Sequence, residues 1–202
     1  MPLSKIQAES MNLADNYAFT GTVSGASGLV KLNTTDITSA TATLVFNNTL
    51  ITDTYDKYII AYQGFSPVTN QAYPRSRYST DNGSSFETGT FNYGYQYSRL
   101  GGAGVSGSGS TKTDYAQSDF TYSSTIADHV SGIYYIDGLR DATLNLHIKH
   151  DFVHRSATGG TYFNEAQEAW QYSKTVAMNY IEFSFSTGNI ADGTFTLFGV
   201  AK

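Results

Sequence analysis

The chain has 202 residues, of which 14% are aromatic and 14% charged, with a net charge of −5 and no cysteine. That length suits one large β domain able to bury a core without staples, and the missing cysteine excludes disulfides and thiolate chemistry. The 12 basic residues are scattered and outnumbered by 17 acids, which argues against nucleic-acid binding through Lys and Arg clusters, and no apolar run approaches the roughly 18 residues of a membrane-spanning helix.

Residues 1–27 read differently from the rest. "MPLSKIQAES" lacks the apolar core of a secretory signal, so synthesis in the cytoplasm is expected, with release by lysis equally compatible. Ser4 and Gln7 have capping-box spacing. A short helix or an extended docking arm fits, with Ile6, Met11, Leu13, Tyr17 and Phe19 as its partner-binding side chains. "GTVSGASG" then forms a flexible joint. The expected organisation is an attachment arm over 1–27 and a β domain over 28–202.

Strand signals dominate from there. "TATLVFN" (41–47) alternates, and "YDKYIIAYQGF" (55–65) is dense in Tyr, Ile and Phe. Within 73–87, Asn82-Gly83 after Asp81 predicts a tight turn with positive φ. "FNYGYQYSR" (91–99) places Phe91, Tyr93, Tyr95 and Tyr97 on one face. Residues 101–109, "GGAGVSGSG", read as a loop between strands. Strands are expected over 114–124, 132–139 and 142–154. "FNEAQEAWQY" (163–172) mixes helix formers with Tyr162, Trp170 and Tyr172 and is read as a strand. Two alternating runs around Gly188, Asn189, Asp192 and Gly193 predict a closing hairpin. About nine to eleven strands with Gly-rich turns imply a sandwich or barrel.

Candidate chemistry is thin. Gly102, Gly104 and Gly107 spell G-x-G-x-x-G, but "SGSTKTD" cannot open the helix that a dinucleotide needs. His147, His150 and His154 are close in sequence. On a strand, His147 faces one way and the other two the opposite way, so a solvated or edge-strand role outweighs a metal site. Glu165 with Glu168, or Asp137 with Asp141, could serve as hydrolytic carboxylate pairs, though 17 acids make chance pairs expected. Sequons at Asn33, Asn47 and Asn82 are read as accidents of an Asn- and Thr-rich chain. Tyr93, Tyr95 and Tyr97 with Arg99 are the candidate ligand surface, because Tyr combines contact area with a hydroxyl. Tyr is also a good strand residue, and burial of this face would make it core or subunit interface. No catalytic, cofactor or metal residues are assigned.

Several segments resemble virion proteins of tailed bacteriophages, especially aquatic ones. "SKIQAESMNLADNYAFTGTVSGA" is similar to their anchor segment. Tyr55, Asp56 and Tyr58 match a strand that begins Tyr-Asp-x-Tyr, and Ser79, Thr80, Asp81, Gly83 and Ser84 match a Ser-Thr-Asp-x-Gly-Ser hairpin. The most specific part is the closing hairpin, through Ile181, Phe183, Phe185, Ser186, Gly188, Asn189, Ile190, Gly193 and Gly199. The resemblance implies an antiparallel jelly-roll-like β-sandwich on the virion. It also implies a homotrimer bound to other virion proteins, the major capsid or tail protein, as a tail fibre, head fibre or capsid-decoration protein. With no long shaft, the chain would be a compact knob or cement protein. A receptor-binding adhesin for host surface glycan is the alternative, and a carbohydrate-active enzyme the third class.

Overall fold

The computed structural model describes residues 28–100, 105–125, 128–155 and 163–201, and gives only the backbone of 97–100, 105, 106 and 163. The proposed arm over 1–27, with Ile6, Met11, Leu13, Tyr17 and Phe19, lies outside the described residues. Strand makes up 62% of the described residues, and no α-helix occurs among them. The strands are β1 (Leu29–Ile37), β2 (Leu44–Phe46), β3 (Tyr55–Pro67), β4 (Pro74–Ser79), β5 (Thr90–Leu100) and β6 (Val105–Thr113). They continue as β7 (Ala116–Gln117), β8 (Val130–Asp137), β9 (Leu146–Arg155), β10 (Phe163–Tyr172), β11 (Tyr180–Phe185) and β12 (Ile190–Ala201).

They form two antiparallel sheets, an eight-stranded one in the order β1-β12-β3-β8-β9-β10-β5-β6 and a four-stranded one in the order β2-β11-β4-β7. The topology simplifies when four strands are set aside. β1 lies beside β12, β2 beside β11, β3 beside β8 and β4 beside β7. This is a long antiparallel ribbon folded across two layers, the jelly-roll arrangement. The remaining strands are two insertions, β5–β6 between β4 and β7, and β9–β10 between β8 and β11. Both add to the free side of β8, extending the large sheet as β9-β10-β5-β6.

Alternation explains which side chains enter the core. Tyr58, Ile60 and Tyr62 of β3, Phe195 and Leu197 of β12, and Ile181, Phe183 and Phe185 of β11 are buried. Phe65 bridges the layers, with its ring 4.6 Å from Phe185 and 5.0 Å from Phe195. Residues 116–125 cover the inner face of the inserted strands, where the Phe120 ring packs 5.6 Å from Phe152 and 5.3 Å from Tyr95.

Four expectations are corrected. The two closing runs do not form a hairpin: β11 lies in the four-stranded sheet and β12 in the eight-stranded one, so the turn between them carries the chain from one layer to the other. Strand was expected over 114–124, yet only Ala116–Gln117 is strand, with Tyr122 adding an isolated bridge to Ala72. The following backbone is held by side chains instead: Phe120 N–H donates to Ser118 Oγ, and Asp119 N–H donates to the Tyr93 hydroxyl. The Gly- and Ser-rich stretch read as a loop is strand from Val105 onward, because a β ladder needs only peptide groups. Twelve strands occur among the described residues where nine to eleven were expected, β6 and the edge strand β1 having gone unread. The Asn82-Gly83 turn is as expected, with φ of 59° and 86°. It does not join two strands directly. Asp81 winds it instead, accepting bonds from Ser79 Oγ–H at 2.7 Å and from the Ser85 N–H and hydroxyl at 2.8 and 2.6 Å.

Candidate functional site

The inserted strands carry a distinct feature on each face. On the outer face, register aligns three rows across neighbouring strands. Gly94 of β5 lies opposite Ala169 of β10, then Lys149 of β9, then Tyr135 of β8. One flanking row is Asn92, Gln171, His147 and Asp137, and the other begins Gln96, Gln167 and Asp151. Gly94 and Ala169 present almost no side chain, so the middle row sinks between two rows of carboxamides. The result is a shallow, open depression of about 720 Å³. Lys149 stands in the middle row between Ala169 and Tyr135, its ammonium 2.7 Å from Asp151 and 5.6 Å from the centre of the Tyr135 ring. Asp137 pairs with Lys57 at 3.2 Å, and the Asn92 amide donates to Ser173 Oγ. Tyr135 is 40% exposed.

The inner face buries a polar network. Glu168 alternates in phase with Ala166 and Trp170, which puts its carboxylate inside. Tyr93 O–H and Ser118 Oγ–H each donate to its Oε1 at 2.7 Å, and Asp119 N–H adds a longer bond at 3.3 Å. His150 Nδ1 lies 3.1 Å from the other carboxylate oxygen, and its Nε2 lies 2.8 Å from the Tyr62 hydroxyl. Burial lowers the His150 pKa, partly offset by the bond to Glu168. The neutral imidazole therefore donates from Nδ1 to Glu168 and accepts from Tyr62 at Nε2. Its ring is clamped between Tyr134, with centroids 3.8 Å apart and planes at 7°, and Phe152, at 4.2 Å and 13°. Burial raises the pKa values of Tyr62, Tyr93, Tyr122 and Tyr134 and keeps them phenols. A carboxylate, an imidazole and a hydroxyl in series resemble a proton relay. Here the Tyr62 hydroxyl meets the Tyr122 hydroxyl at 3.3 Å in the core, and all four side chains are buried. The series thus orients core groups against one another.

Sequence placed some of these residues and missed others. Tyr93 is buried, so it cannot belong to a ligand surface; its ring stacks 5.2 Å from Trp170. Tyr95 is half-buried against Phe120, while the side chains of Tyr97 and Arg99 lie outside the described ones. The three histidines divide between faces as alternation requires. The expected solvated or edge role fails for His150 and His154, which are buried on an interior strand. Both ring nitrogens of His154 lack a hydrogen-bond partner among the described residues. Burial lowers its pKa to about 4, and the nearby Arg155 backbone offsets only part of that shift. Among the described residues no three ligating side chains gather for a metal. Glu165 and Glu168 lie on opposite faces of β10 and cannot flank one bond. Asp137 is paired with Lys57, and Asp141 accepts from the Thr143 backbone N–H and hydroxyl. The stretch after Gly104 continues as β6 and opens no helix. The carboxamide-lined depression had no local signal, since four strands of non-consecutive order build it. Comparison with protein-family models, with curated proteins and with solved structures finds no match for this chain.

Proposed function

We propose that the chain is a non-enzymatic structural protein of a bacteriophage particle. In this reading it is a surface decoration protein or short fibre that assembles as a homotrimer and docks through residues 1–27 on the major capsid or tail protein. The observation that carries the reading is the state of the two outer edges of the large sheet. β1 and β6 are nine residues each, and neither pairs on its outer side with a described residue. β6, "VSGSGSTKT", has one charged residue, Lys112, and no proline. β1 has a bulge between Lys31 and Asn33 but exposes Leu29 and Val30 at 53% and 37%. Chains that stay apart blunt long edges with charge, proline or bulges. Edges so lightly guarded suit contact with other copies of the chain, and a surface poor in charge suits close packing of copies. The jelly-roll order, used in viral shells, and the resemblance of the closing segment over 180–200 to phage virion proteins support the same reading.

Sedimentation of the full chain tests the assembly: a trimer is expected, and a monomer at every concentration would contradict it. Deletion of residues 1–27 should leave that trimer folded while removing its attachment to purified particles. Attachment that survives the deletion would take the docking role away from the arm.

A further inference from the structure

We infer that the outer face of β5, β10, β9 and β8 is a binding site for a neutral oligosaccharide. The inference stands apart from the particle reading, because it rests on this face alone.

The shape comes first. From β5 to β8 the depression crosses three gaps between strands of about 4.8 Å, roughly 14 Å in all, the length of about three linked pyranose rings. Its flanking rows stand four residues apart along each strand, about 13 Å, which leaves room for a single chain between them. A volume of about 720 Å³ lies within the range of small-ligand sites. Gly94 and Ala169 let a ring descend onto the strand backbone, and a Cβ added at Gly94 would meet nothing nearer than 4.0 Å.

The chemistry then selects the ligand. Gln96, Gln167 and Gln171 project from the two walls and hydrogen-bond to no other described side chain or backbone group. A carboxamide gives and accepts at once, as adjacent hydroxyls on a sugar require. Tyr135 lies at the β8 end with part of its ring open, a platform for the apolar C–H face of a pyranose. Formal charge is balanced: Lys149 is paired with Asp151 and Asp137 with Lys57. A polyanion would find no free cluster of cations here. A protein partner would want several large apolar anchors; of the aromatic residues bordering this depression, Tyr93, Tyr95 and Trp170 turn their rings to the inner face, which leaves Tyr135 and the smaller His147 imidazole.

The test uses the full chain and printed arrays of linear neutral gluco-, galacto-, manno- and N-acetylglucosamine oligosaccharides, followed by calorimetric titration with the best array probe. Binding of at least one probe is expected, with amide NMR shifts centred on Gln96, Gln167 and Gln171. Gln167→Ala and Tyr135→Ala should each weaken it about tenfold. Gly94→Val should abolish it with the thermal midpoint unchanged, since valine suits a strand and has open space there. Three results would overturn the inference: no array probe binds; binding persists in both Gly94→Val and Gln167→Ala; or Gly94→Val dissociates the native assembly, which would make this face a contact between copies. None of the three touches the docking test for residues 1–27, so the two readings fail separately.

Discussion

The eight jelly-roll strands and the four inserted ones solve the same problem with different chemistry. Under the jelly-roll strands the core is aliphatic and aromatic: Phe46, Ile60, Phe65, Phe183, Phe195 and Leu197 are buried. Under the inserted strands, Phe91, Phe152 and Trp170 share the space with Glu168, His150, His154 and Asn164. Apolar packing is non-directional and tolerates small shifts. A buried carboxylate with hydroxyl, amide and imidazole partners tolerates few. The difference teaches where alignment matters. Strands added beyond β8 lie far from the apolar centre, and the Tyr93–Glu168–His150 bonds lock β5, β10 and β9 in register. The same register sets the rows of amides on the outer face. A hydrogen-bonded underside thus positions a candidate binding surface from below.

That contrast can be broken by mutation. The largest effect is expected from Glu168→Ala, which leaves His150, Tyr93 and Ser118 without their shared acceptor. With three buried neutral donors left unpaired at about 1–3 kcal/mol each, it should cost about 3–5 kcal/mol, read by urea denaturation. Phe195→Ala in the jelly-roll core should cost a similar amount, but its cost should not change between neutral and mildly acid pH. The inserted strands should be acid-sensitive. His154 has a folded pKa of about 4 against an ordinary 6.5, so the unfolded chain binds more protons between those values. Stability is complete above pH 6.5 and falls as the pH drops towards 4, by about 3 kcal/mol from this residue. His150, lowered in the same direction by burial, adds to the loss. Denaturation curves across that window check it, and His154→Phe should flatten the slope. A slope unchanged by the substitution would assign the acid sensitivity elsewhere. A smaller effect is expected from Tyr93→Phe, about 1–3 kcal/mol, because Glu168 keeps Ser118 and His150. Gly94→Val, on the opposite face of the same strand, should fall within about 0.5 kcal/mol of the parent chain.

The layered β architecture was legible because alternation is local. Tyr58, Ile60 and Tyr62, or Leu146, Ile148 and Phe152, announce a buried face within a few residues. The same phase contained more than was taken from it. In "FNEAQEAWQY", Glu168 shares its side with Ala166 and Trp170, and His150 shares one with Ile148 and Phe152. Reading charged and titratable residues as solvated obscured that, although the period placed them inward. β6 was missed because serine and glycine carry little strand preference, and its ladder with β5 is made by the backbone. The outer depression was beyond local reading. Its floor joins Gly94 to Ala169 across 75 positions of sequence, and only the pairing of β5 with β10 brings them together.

The sparse side chains of β6 carry one more consequence. Glycine and serine recur at every second place from Ser106 to Ser110, so a slide by two positions would present almost the same profile to β5. Little along this strand resists such a slide. Lys112 is the exception: its ammonium reaches Asp119, on the segment under the inserted strands, at 2.8 Å. This ion pair, with the two bonds that join Gly89 to Asp114 just beyond the strand's end, is the stop on a ratchet whose teeth are otherwise alike.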